Sequence, residues 1–157
     1  MSAVTGNQRS QTTAAISTGY DSHQAGRGWR IGLWIAQILL FLAYGASGLM
    51  NSFMPADRLI AMGMSHAGVL PYWALRFLGV SELAGTLGII LPAMTRIKPI
   101  LTPIAALGFT TIQLLAIGFH IARGEFAFMA PINLVLLALS LFVMWGRTQK
   151  VIIPDRW

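Results

Sequence analysis

The sequence predicts an all-α, polytopic membrane protein: a left-handed four-helix transmembrane bundle with up-down-up-down topology. Three observations carry this. The chain is 55% hydrophobic and only 10% charged, against roughly 25% charged in an ordinary soluble domain. Four apolar runs each approach the ~20 residues needed to cross a bilayer core. Lys and Arg gather on alternate connections, as they do in multi-span proteins with one cytoplasmic face.

The same composition excludes other classes. Four such runs in 157 residues leave no room for a second folded domain. The formal charge of +6 comes from basic residues scattered singly between apolar runs. No basic patch with interleaved aromatics forms, so nucleic acid is not an expected partner. With no cysteine in the chain, disulfides, thiolate metal sites and dithiol relays are absent. Three histidines, His23, His66 and His120, show no metal-ligand spacing.

Residues 1–28 are rich in Ser, Thr, Gln and Gly and lack the apolar core of a signal peptide. They are expected to form a disordered tail that is retained. The membrane domain spans 29–150, and 151–157 form a second tail. The first run, Ile31 to about Met50, carries no charge and follows Arg27, Trp29 and Arg30. Between Asn51 and Pro71, Pro55 opens a short amphipathic segment. Asp57 and Arg58 are polar there and Leu59, Ile60, Met62 and Met64 apolar, a pattern that suits the membrane surface.

The second span enters at Tyr72 and Trp73, an interfacial aromatic pair, and is expected to stop near Pro92. The third runs from about Ile100 to Ile121, with Pro99 and Pro103 placed for a helix start. The fourth runs from about Phe126 to Trp145, with Pro131 in its first turn or kinking it. Arg27, Arg30, Arg96, Lys98, Arg147, Lys150 and Arg156 share one side, whereas the other has only Arg58 and Arg123, each beside an acid. The positive-inside rule then puts both termini and the middle loop in the cytoplasm.

The polar residues within the spans recur every seventh position: Gln37, Tyr44 and Asn51, then Gln113 and His120, then Asn133 and Ser140. Two helical turns return a residue to nearly the same face, so these positions are expected to line the inside of the bundle. At about 1.5 Å per residue, Asn51, Arg76, His120 and Asn133 fall near the outer face. Tyr44, Glu82, Gln113 and Ser140 fall nearer the midplane. Ser81, Ala84, Gly85 and Gly88 give the small spacing that lets a neighbouring helix approach.

Glu82 is the most informative residue, because an ionisable group in a span is costly and is a functional-site hypothesis by default. Arg76 is its expected partner. Glu82 serves as a proton donor or acceptor or as an anchor for a ligand; the structural alternative is a buried hydrogen bond that fixes helix register. His120 suits proton transfer or a hydrogen bond to a quinone carbonyl, or else pairs with the loop at its helix end. Asn51, Asn133, Gln113 and Tyr44 are candidate ligand contacts whose alternative is interhelical bonding. Arg123 and Glu125 read as a solvated loop pair.

The stretch RFLGVSELAGTLGIILP, a following Thr-Arg loop, FHIARGE at the end of the next span and an Asn in the last resemble the DoxX-like family of four-helix integral membrane proteins. The similarity covers about 29–147. It rests most on Arg76, Gly79, Glu82, Gly85, Gly88, Pro92, His120 and Glu125. The resemblance implies a four-span protein of the plasma (inner) membrane. The family includes a subunit of a thiosulfate:quinone oxidoreductase, and other members are membrane partners of soluble redox enzymes.

The leading functional expectation is a protein that binds a lipophilic ligand, a quinone or isoprenoid, in a polar intramembrane pocket and supports a membrane-associated oxidoreductase. Its pocket is lined by Arg76, Glu82, His120 and Asn133. A quinone is the one cofactor considered. One alternative is a cofactor-independent enzyme with Glu82 and His120 as acid and base for isomerisation or cyclisation of a lipophilic substrate. The other is a non-catalytic scaffold or assembly factor. Expected partners are the bilayer, a lipophilic small molecule, a redox enzyme and a second copy of the chain in a homo-oligomer.

Overall fold

The computed structural model describes the backbone of residues 4–151 and 153, and the side chains of 26–151 and 153. The expectations for the tails, 1–28 and 151–157, fall almost wholly outside the described side chains. Five α-helices are described: α1 (Val4–Phe53), α2 (Ala56–Ala61), α3 (Tyr72–Thr95), α4 (Leu101–Ala122) and α5 (Phe126–Trp145). A 3-10 turn, Ser65–Gly68, follows α2, and a π-helical turn, Gly146–Lys150, continues α5. No strand occurs among the described residues.

Four segments are long and apolar enough to span a bilayer: Gly26–Phe53, Tyr72–Thr95, Leu101–Ala122 and Phe126–Lys150. Short connections make consecutive spans antiparallel neighbours. α1 packs on α3, α3 on α4, α4 on α5, and α5 closes back on α1. Leu40, Tyr44, Ile89, Phe109 and Val143 form the centre of this ring. Outward residues such as Phe77, Leu114 and Phe128 are exposed, as expected of surfaces that meet lipid chains.

The interior is polar at the predicted positions. Gln37, Tyr44, Asn51, Gln113, Asn133 and Ser140 are all buried, and so is Glu82. His120 is half-buried at the end of α4. Close approach of α1 and α3 depends on Gly79, where an added Cβ would lie 2.6 Å from the Ser52 backbone nitrogen and 2.8 Å from the Asn51 carbonyl carbon. On the other face of α3, Gly85 and Gly88 meet Phe109 and Ala105 of α4.

Three details differ from expectation. α3 does not stop near Pro92 but runs on to Thr95. Pro92 removes a single N–H donor, and the chain regains bonds at once: the Arg96 amide donates to the Pro92 carbonyl at 3.0 Å, and the Thr95 hydroxyl donates to the Leu91 carbonyl at 2.8 Å. Pro131 lies in the second turn of α5, which continues through it. The amphipathic α2 does more than lie on a surface. Leu59 is fully buried against Leu75, Ala67, Met50, Met54 and Met64, so α2 and the 3-10 turn cap one end of the bundle, while Ile60 and Met62 are exposed.

Candidate functional site

The capped end of the bundle holds a partly open cavity of about 410 Å³. Each span contributes to it in the order set by the heptad spacing. α1 supplies Tyr44, Ser47 and Asn51; α3 supplies Leu78 and Glu82; α4 supplies Gln113, Ala116, Phe119 and His120; α5 supplies Asn133 and Leu136; the cap adds His66 and Leu70. The volume lies within the range typical of small-molecule sites, roughly 300–1,000 Å³.

One wall is built around the Glu82 carboxylate. The Ser47 hydroxyl donates to it at 3.0 and 3.1 Å, and Asn51 Nδ2 donates at 2.9 Å. Asn51 is held in turn, its Oδ1 lying 3.2 Å from His66 Nε2. A proton on that Nε2 would complete the bond. Ser47 falls three residues after Tyr44 and four before Asn51, so helical periodicity alone puts all three on one face.

Arg76 is not the partner of Glu82. Its Nη1 and Nη2 donate to the backbone carbonyls of Asn51 and Met54 at 2.6 and 2.9 Å, and its guanidinium lies over the Tyr72 ring. Six residues along a helix separate Arg76 from Glu82 by about 9 Å and turn the side chains to different faces. The nearer need is at the end of α1, whose last carbonyls have no intrahelical donor and carry the negative end of the helix dipole. Arg76 caps that end and fixes where Asn51 sits. It is not among the residues lining the cavity.

The opposite wall is a chain of neutral bonds. The Tyr44 ring stacks on Phe109 with centroids 3.9 Å apart, and its hydroxyl donates to Gln113 Oε1 at 3.1 Å. With that oxygen accepting, Gln113 presents its amide nitrogen to Asn133, donating to the Asn133 side-chain oxygen at 3.1 Å and its backbone carbonyl at 3.2 Å. The network therefore orients the Asn133 amide, and its Nδ2 is left buried with no hydrogen-bond partner. A buried donor in that condition costs about 1–3 kcal/mol.

At the mouth, the α4–α5 connection is latched to the cap. Ser65 donates to Glu125 Oε2 at 2.8 Å, Arg123 Nε donates to Oε1 at 2.9 Å, and His120 Nδ1 lies 3.4 Å from Oε2. The Ser65 hydroxyl, followed by Arg123, holds the Glu125 carboxyl below its usual range. Burial, with His120 nearby, pushes the His66 imidazole below its ordinary value. His120 thus both lines the cavity and pairs with the loop.

Of the residues singled out from sequence, Tyr44, Asn51, Glu82, Gln113, His120 and Asn133 meet around this one cavity, and Arg76 stands behind it. Ser47 and His66 are additions. Ser47 was legible from its spacing. His66 lies in an irregular connection, where no periodicity announces which way the chain folds back. No cluster of three potential metal ligands occurs among the described residues.

No curated protein and no solved structure matches the chain. The sequence model of the DoxX-like family matches residues 35–143, which include every cavity-lining residue. With four spans in the expected order and most of its length matched, the chain belongs to the DoxX-like family.

Proposed function

We propose that this protein binds a lipophilic molecule with a polar head, a quinone or related isoprenoid, and presents it to a membrane-associated oxidoreductase. The observation that carries this reading is the unpartnered Asn133 Nδ2 beside a cavity that also holds Glu82 and His120. A ligand carbonyl would satisfy that donor. A protonated head oxygen would find an acceptor across the cavity at Glu82, and His120 or His66 offers a further nitrogen at the mouth. The apolar lining, including Leu78, Leu115 and Leu136, suits the body of such a molecule. By the positive-inside rule the capped end faces away from the cytoplasm in the plasma (inner) membrane, with both termini cytoplasmic. A reporter fused to the C-terminus that reads out as extracytoplasmic would overturn that orientation.

The test is a thermal-shift titration of the purified protein with a short-chain benzoquinone. Wild type is expected to be stabilised in a saturable manner. Asn133→Leu removes the orphaned donor while Gln113 keeps the Asn133 backbone carbonyl as acceptor. It should retain its own stability and bind the quinone about tenfold more weakly, the worth of one hydrogen bond of ~1.4 kcal/mol. Equal quinone stabilisation in both proteins would sink the reading.

A second reading is favoured by one feature. The buried Glu82 carboxyl meets hydroxyl and amide donors and no cation among the described residues. Such a group is suited to exchange a proton, so Glu82 and His120 acting as acid and base on a membrane-dissolved substrate is the catalytic alternative. Glu82→Gln preserves shape and removes the titratable group. Full turnover by that variant would eliminate the catalytic alternative and leave the binding reading standing.

A further inference from the structure

We propose that the opposite, basic end of the bundle holds a separate site for a phosphate-bearing anion, in particular the headgroup of an anionic membrane lipid. A cleft of about 670 Å³ opens there between the first turns of the membrane-spanning part of α1, the end of α3 and the turn after α5. Three arginines converge on it from three elements: Arg30, Arg96 and Arg147, with Trp34 beside them. The acids whose side chains are described, Asp57, Glu82 and Glu125, all belong to the capped half of the bundle, so this cleft contains no carboxylate among the described side chains.

Arg147 is the anchor. It is 6% exposed, and both its Nε and Nη2 donate to the buried Gln37 Oε1. Gln37 itself donates to the Ile89 carbonyl of α3 at 2.5 Å. The guanidinium also lies over the Trp34 ring, 5.7 Å from its centroid. Its Nη1 has no protein hydrogen bond among the described residues. A fixed guanidinium with an unused edge, held by a neutral amide, is a receptor for a planar or tetrahedral oxyanion. Gly146 makes the placement possible: a Cβ there would lie 2.5 Å from Leu33 Cδ2.

Arg96 completes the basic lining of the cleft. It adopts φ 60° at the end of α3, where glycine is the usual occupant. Lys98, outside the cleft, shares a left-handed backbone at φ 49°, so what distinguishes Arg96 is its place on the cleft beside Arg30 and Arg147. The choice of a lipid over free phosphate comes from what adjoins the cleft. A second groove shares Arg30 and Trp34 and runs down α1 along Ile31, Ile35 and Ile38, each about half exposed. Those three residues make one apolar stripe leading from the arginines into the membrane, a seat for an acyl chain below a headgroup.

Generic attraction of a basic end to an anionic surface also favours acidic lipids, so the test must separate a site from a charge. The full chain in mild detergent is titrated with phosphatidylglycerol, phosphatidylcholine or inorganic phosphate, and retained lipid is read by native mass spectrometry alongside the melting temperature. Phosphatidylglycerol is expected to be retained and stabilising, and phosphatidylcholine is not. Arg30→Gln and Arg96→Gln should each weaken retention about fivefold, whereas Lys98→Gln, the same charge loss outside the cleft, should leave it unchanged. Arg96→Gly adds a readout independent of folding: relief of the left-handed backbone should raise the melting temperature of the lipid-free protein while lipid retention falls. Equal weakening by Lys98→Gln, or unchanged retention in Arg96→Gly, would overturn the site. An equal shift from inorganic phosphate alone would overturn the lipid assignment and identify a soluble phosphate as its ligand.

Discussion

The two ends of this bundle handle buried polarity in opposite ways. At the capped end a carboxylate is surrounded by neutral donors, and the unpartnered groups are the Asn133 amide nitrogen in the cavity wall, with Ser52 Oγ and Arg76 Nε behind it. At the basic end a guanidinium is held by a neutral amide oxygen, and the surplus is positive charge lining a cleft. The two charges do not pair: two turns of α3, about 10 Å, separate Glu82 from Ile89, where the Gln37–Arg147 group docks. In each case a buried charge without a counterion is made tolerable by hydrogen bonds alone. Each end is thereby left with unsatisfied capacity of a definite sign. The first suits a small, largely apolar molecule with a carbonyl. The second suits an anion with a tail.

The comparison can be broken at its strongest point first. Gly79→Ala drives a methyl into the Asn51–Ser52 backbone, forcing α1 and α3 apart where the Glu82 network is formed. The expected loss is about 3 kcal/mol, read as a lowered melting temperature together with loss of quinone binding. Retention of lipid at the basic end in the surviving folded fraction would show the two ends to be independent.

Arg76→Ala ranks next. It uncaps α1 at Asn51 and Met54 and is expected to cost about 2 kcal/mol, measured by thermal or denaturant unfolding in detergent. If Arg76 acted instead as the counterion of Glu82, Arg76→Ala paired with Glu82→Gln would be less damaging than the sum. The capping account predicts that the two losses add.

A smaller effect separates the ends by pH. Burial lowers the His66 pKa in the folded protein, so below the ordinary histidine value of about 6.5 the unfolded chain binds more protons than the native one. The stability contributed by neutral His66 is present above that value and is lost as pH falls from it toward the depressed folded pKa. The melting temperature of wild type should drop between about pH 7.5 and 5.5, and His66→Gln should flatten that slope. An unchanged slope would contradict a neutral imidazole bonded to Asn51.

Smallest of all is the latch at the mouth. The Ser65 hydroxyl and Arg123 lower the Glu125 pKa, so the carboxylate's contribution is present above the ordinary carboxyl range and lost as pH falls through the depressed value. Ser65→Ala should move the Glu125 titration upward, followed by carboxyl NMR, without measurable change in stability at neutral pH.

How much of this was legible depended on whether regular periodicity carried the information. The spans were, because an apolar run of bilayer length has few alternatives, and the fourth helix spans Phe126–Trp145 as its pattern indicates. The inward seam was too, since Gln37, Tyr44 and Asn51 repeat with the helix. Three features were not. His66 enters the site from a non-repeating connection. Arg76 pairs with a helix end because uncapped carbonyls were nearer than Glu82, and hydropathy does not register such carbonyls. Arg147 reads in sequence as one of several flanking charges, yet the π-helical turn and Gly146 bring it in beneath Leu33 to Gln37. Gln37, the first residue of the heptad series, marks in sequence the place where Arg147 docks.

The central claim is that the cavity at the capped end is a binding site and not merely the space between hydrogen-bonded helices. It is tested most directly by mass spectrometry of the small molecules that copurify with the protein in mild detergent. Wild type is compared with Ala116→Phe, which fills the cavity from α4 and leaves Glu82, Asn133 and His120 in place. The account predicts a quinone or isoprenoid enriched in wild type and missing from an equally stable Ala116→Phe. Identical small-molecule content in the two proteins would contradict it and reduce the polar network to interhelical bonding.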